Sequence, residues 1–215
     1  NENASPATSV EVGVKEDQTA PTGLTATKAS SSTAADGKIS NVTDAMEYQK
    51  DGDTSWTAVG NGKTEITGLT AGTYKVRYAG TADKNASDAT SVEVGTKTDQ
   101  TAPTGLTATK ASSSTATDGK ISGVTDAMEY QKNDASAWTA VGENKTEITG
   151  LTTGTYRVRY AETADKNASP ATSVEVGVKE DQTAPTGLAA TKASSNTATD
   201  GKISGVTSAL EYQID

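Results

Sequence analysis

The chain has 215 residues, 33% of them hydrophobic and 4% aromatic, with no Cys, His or Phe and a formal net charge of −9 at pH 7. Lacking His and Cys, it has neither the usual general base nor a thiol nucleophile, and no spacing singles out a Ser or Thr beside an activating Lys or carboxylate, so no catalytic residue is expected. A pI near 4.6 leaves no basic stripe for phosphate contact, which excludes nucleic acid as an expected partner.

The order of the residues is periodic. QTAPTGL begins at Gln18, Gln100 and Gln182, a spacing of 82 each time, and residues 19–100 differ from 101–182 at 15 positions. Most solenoid repeats run to about 20–50 residues, so this period is long enough for a small domain with its own core. The expected organisation is the C-terminal end of a preceding repeat at 1–18, full repeats at 19–100 and 101–182, and the N-terminal part of a truncated repeat at 183–215. The whole reads as a window of a longer tandem array.

In chain order, one copy gives about seven short strands: GLTATKA (23–29), GKISNV (37–42), AMEYQK (45–50), WTAVG (56–60), KTEITGL (63–69), TYKVRYAG (73–80) and ATSVEVG (89–95). Tyr74, Val76 and Tyr78 alternate with polar neighbours, as do Met46 and Tyr48, which is the period of a half-buried strand. The breaks KDGDTS (50–55) and GNGK (60–63) carry the residues of tight turns. With no segment of helical periodicity to serve as a crossover, parallel α/β architecture is excluded, and tandem antiparallel β-sandwiches, an all-β class, are expected. In the truncated copy, strands within 183–215 lack the partners that would close their sheet. They are expected to be poorly ordered, or to be completed by a neighbouring molecule.

The run EYQKDGDTSWTAVGNGKTEITGLTAGTYKVRYAG (47–80) resembles the third-to-sixth-strand passage of fibronectin type III and related bacterial immunoglobulin-like repeats. The resemblance implies a tyrosine corner at Leu69, Gly72 and Tyr74 and again at Leu151, Gly154 and Tyr156, with Ile39 where the second strand of that family commonly carries tryptophan. It also implies an exported, cell-surface or cell-wall location resembling the cysteine-free stalks of Gram-positive bacteria. No run of 18 apolar residues appears, so no membrane insertion is expected within this segment.

Three groups of residues are candidates for more than structure. The linker KTDQTAP (97–103) should bring Asp36, Asp99, Asp126 and Asp165 near one joint, and hard oxygen donors suit calcium, which some repeats of the resembled family hold between beads. Against this, the third copy has Ser208 where the others have Asp44 and Asp126, and solvated acidic turns are common. Trp56, with Tyr48 and Tyr78, could stack on a glycan, but in a chain so poor in aromatics it is expected in the core or at its edge. Lys28 and Asn85 could form an isopeptide crosslink, which needs a buried apolar site that the polar TATKASSS stretch does not promise. The Asn-x-Ser/Thr triplets at Asn41, Asn85 and Asn144 are expected by chance in so Thr-rich a chain.

The short, proline-bearing linkers favour a semi-rigid rod. The expected function is a structural stalk whose partners are neighbouring repeats. The alternatives are an adhesive module that grips a host protein or glycan, and accessory repeats of a secreted carbohydrate-active enzyme.

Overall fold

The computed structural model describes residues 8–133 and 135–213; residues 1–7, part of the segment expected to end a preceding repeat, lie outside the described residues. Every named element is a strand. The first full copy contributes β1 (Thr25–Thr27), β2 (Gly37–Ser40), β3 (Met46–Lys50), β4 (Thr57–Ala58), β5 (Glu65–Leu69), β6 (Gly72–Tyr78) and β7 (Thr90–Val94). The second repeats them as β8 (Thr107–Thr109), β9 (Gly119–Ser122), β10 (Met128–Lys132), β11 (Thr139–Ala140), β12 (Glu147–Leu151), β13 (Gly154–Tyr160) and β14 (Thr172–Val176).

In each copy these strands form two sheets, ordered β1-β2-β5 and β4-β3-β6-β7 in the first and β8-β9-β12 and β11-β10-β13-β14 in the second. All strand pairs are antiparallel. Alternation decides which residues fill the space between the sheets. Tyr74 and Val76 of β6 point inward to join Ile39 of β2, Ile66 and Leu69 of β5 and Val94 of β7, whereas Lys75 and Arg77 face out. Ile39, standing where the tryptophan would be, is fully buried. The second copy builds a separate core around Ile121, Ile148, Leu151, Tyr156, Val158 and Val176.

The first strand, Thr25–Thr27, is shorter than the sequence pattern predicts. The stretch 23–29 does not run as one strand because it changes sheets. Thr25–Thr27 pair with β2, and Ala29 then donates its N–H to Gly95 O at 2.9 Å beside the other sheet. Gly23, with φ +73, turns the chain in before the ladder starts. Two glycines inside the strands have physical causes. Between Ile66 and Leu69 the register with β2 slips, and Gly68 at φ +75 is part of the bulge. A Cβ on Gly37 would come 2.6 Å from Val94 Cγ1 of the other sheet and 2.8 Å from Leu69 O of the adjacent strand, so no side chain fits here.

The start of the third copy forms a hairpin of β15 (Ala189–Thr191) and β16 (Lys202–Ser204), in the register of β1 and β2. The pairing recurs here because the β1–β2 ladder is local and needs no other strand. Its apolar side chains do lack their core: Ile203 is 55% exposed, whereas its counterpart Ile39 is fully buried. The chain exposes 14950 Å² in all, against about 9,300 Å² for one compact globule of this mass. Separate cores and uncovered terminal segments account for the direction of that excess.

Candidate functional site

The residues with the least explained chemistry lie at the joint between the full copies. Strand β7 continues past Val94 as an irregular segment whose successive backbone groups change partner. Lys97 N–H donates to Ala29 O of its own copy at 2.8 Å, and Thr98 N–H donates to Asp165 O of the next copy at 2.9 Å. Asn167 N–H returns a bond to Thr98 O at 2.9 Å. The handover between repeats therefore takes a single peptide step and leaves no free linker residue between anchors.

Side chains reinforce this handover. Gln100 Nε2 donates to Ala161 O at 3.0 Å and Asn167 O at 2.8 Å, fixing the linker against the loop between β13 and β14. Asn167 Nδ2 donates to Asp99 Oδ1 at 2.8 Å and to Ser30 O of the first copy at 2.9 Å. Two ion pairs cross the joint, Lys28 with Asp165 at 2.8 Å and Lys97 with Glu162. Upstream, residues 15–18 dock in the same way on the loop between β6 and β7. Glu16 N–H meets Asp83 O, and Gln18 Nε2 meets Ala79 O and Asn85 O. Segment 15–18 is thus bonded to the copy that follows it.

The carboxylates considered for calcium are not gathered into one cluster. Asp36 Oδ1 accepts the Ser30 N–H at 2.9 Å, Asp99 accepts from Asn167, and Asp165 pairs with Lys28. Asp126 lies in the turn before β10, beside Asn144 and Lys145 rather than the other three. Among the described residues no three acidic side chains converge. The bond from Ser30 N–H holds the Asp36 carboxyl below its usual range. Asp165 is lowered by its hydrogen bond and attraction to Lys28.

Lys28 and Asn85 are likewise not brought together. Lys28 faces Asp165, while the Asn85 amide donates to Asp17 Oδ1 at 2.8 Å. The Asn41 amide donates to Gly23 O at 2.8 Å, and its own backbone takes φ +67, the left-handed position filled by Gly123 in the second copy. Asn144 is exposed in a turn, also at positive φ.

The expectation that Trp56 belongs to the core or its edge is corrected. Tyr48 and Tyr78 do pack against the core, but Trp56 is on the outer face of the four-stranded sheet, half-buried under a polar neighbour. The Arg77 guanidinium carbon lies 3.9 Å from its ring centre, and Arg77 Nε donates to Glu47 Oε1 at 2.7 Å. Trp138, Arg159 and Glu129 repeat the arrangement at 3.9 and 2.6 Å. The stack covers much of the arginine and ties the two-residue strands β4 and β11 to the sheet.

The tyrosine corner forms in both copies: Tyr74 Oη donates to Thr70 O at 2.9 Å, and Tyr156 Oη to Thr152 O at 3.0 Å. Sequence reasoning missed Ser87 and Ser169, buried hydroxyls that accept the N–H of Tyr78 and Tyr160 and donate to the carbonyls of Asp88 and Pro170. It also missed Gln18 and Gln100, whose only signal was their place three residues before the proline of each linker.

No protein-family model matches the chain, and no curated protein matches it. Among solved structures, a two-domain fibronectin type III segment of chicken tenascin is similar at 14% identity, covering 71% of this chain and 97% of that one, with a TM-score of 0.28. The first three fibronectin domains of chicken CNTN1 are similar at 10% identity, covering 80% and 70%, with a TM-score of 0.27. Strand order, separate cores and tyrosine corners make the two full copies tandem β-sandwiches of the fibronectin type III or immunoglobulin-like kind.

Proposed function

We propose that these repeats are spacers of an extracellular bacterial surface protein, projecting a separate functional domain away from the cell and performing no reaction. The single-step handover at Lys97 and Thr98 carries this reading, because a linker bonded to both neighbours transmits orientation where a free one would dissipate it. The Trp56 ring, stacked by Arg77, offers less open aromatic surface than a glycan platform needs, which favours a spacer over an adhesive module. The reading requires no calcium at the joint, since Asp36, Asp99 and Asp165 already have protein partners. Melting with and without a chelator checks that part.

The spacer role itself is tested by small-angle scattering on chains with two, four and six full copies. Maximum dimension should grow linearly, by about 35–40 Å per copy. Growth nearer the square root of copy number would refute a stiff spacer.

A further inference from the structure

The two docked linkers share the contacts they make to the copy that follows, apart from those of one lysine and of the Thr98 hydroxyl. Glu16 and Thr98 give their N–H to equivalent carbonyls, Gln18 and Gln100 bridge the same loop, and Asn85 and Asn167 both reach an aspartate of the linker. The difference lies at the start of the loop after the sixth strand, where the first copy has Gly80 and the second Glu162. Lys97 pairs with the Glu162 carboxylate, and its side chain is only 12% exposed. Lys15, at the same place in the preceding linker, has Gly80 opposite it and donates to Thr81 O at 2.8 Å.

We infer that the residue at positions 80 and 162 sets how firmly each repeat holds the linker that enters it: glutamate captures the linker lysine, and glycine leaves it on a loop carbonyl. This residue would be the specificity determinant of the repeat–repeat interface. The two cores share no residue, so polar contacts dominate the joint and each one counts. Lys97 is covered but Glu162 is 59% exposed, so the pair is worth what a partly screened surface pair is worth. The inference deepens the spacer reading and rests on it for its purpose, though not for its geometry.

The chain contains no cysteine, so spin labels can be placed at will. Thr64→Cys and Thr146→Cys, both exposed, one on each full copy and neither among the residues bonded across the joint, report the distance between the full copies by double electron–electron resonance. Glu162→Gly should raise the population outside the main distance peak roughly two- to fivefold, the worth of one ion pair. Added salt should move the parent chain toward this variant and change the variant less, since only the Lys28–Asp165 pair remains there to be screened. In the reverse direction, Gly80→Glu should slow hydrogen exchange at the Glu16 amide roughly two- to fivefold by capturing Lys15. An unaltered distribution in Glu162→Gly, or an unaltered Glu16 amide in Gly80→Glu, overturns the inference. A broad distribution in the parent chain would instead overturn the stiff spacer.

Discussion

Replacing Tyr74 by Phe removes one hydroxyl from a side chain that is 4% exposed and leaves its ring in place. The lost bond is the one to Thr70 O at 2.9 Å. That carbonyl stays half-buried, with Lys50 Nζ already committed to the Thr70 hydroxyl at 2.7 Å. A lost bond of this type costs about 1 kcal/mol, and leaving the acceptor partly unsatisfied raises the loss to about 1.5 kcal/mol. For a unit of 82 residues that is a fall in melting temperature of about 6–12 °C. Because the cores are separate, the loss should be confined to the first copy. Each full copy has one tryptophan, so a Trp138→Phe background makes fluorescence report the first copy, and Trp56→Phe the second. The reasoning fails if Tyr74→Phe moves the Trp138 transition as far as the Trp56 transition, or moves neither.

Gly37→Ala forces a methyl against Val94 Cγ1 and Leu69 O and should cost about 1–3 kcal/mol in urea unfolding; adding Val94→Ala should recover only part, since the carbonyl cannot retreat. Arg77→Ala removes both the stack on Trp56 and the bond to Glu47, with an expected loss of about 1–2 kcal/mol and a changed Trp56 emission; an unchanged denaturation midpoint would show the outer-face stack to be idle. The Asp36 carboxyl is lowered by the Ser30 N–H, so its folded pKa is below the unfolded one. Its stabilising effect is therefore complete above about pH 4 and disappears as pH falls through the folded value. Asp36→Asn should thus be less stable than the parent at neutral pH and converge with it in acid, as a pH series of thermal melts would show.

Alternation made the two-sheet architecture legible, since Tyr74, Val76, Met46 and Tyr48 declare their faces without help from tertiary structure. The same rule could have placed Trp56. Extending the ladder past the Tyr48–Thr57 pair sets it opposite Gln49, an outward residue, but the statistical tendency of aromatics to be buried pointed the other way. The aspartates misled for a different reason. Topology brought Asp99 and Asp165 to one joint, but local backbone N–H groups, an asparagine amide and a lysine satisfy the acidic side chains there, and such short bonds leave no trace in spacing. The sheet change at Ala29 was equally hidden, because an edge strand that swaps partners keeps the composition of one that does not.

The step from Lys97 to Thr98 has a geometric consequence. A contact that fixes one unit's rotation against its neighbour, and is not self-closing, generates a screw when it recurs. An array joined throughout in this manner would wind about an axis, presenting the Trp56 and Trp138 faces at a constant angular increment. Pulling on such a filament would then load its joints in torsion as well as in tension.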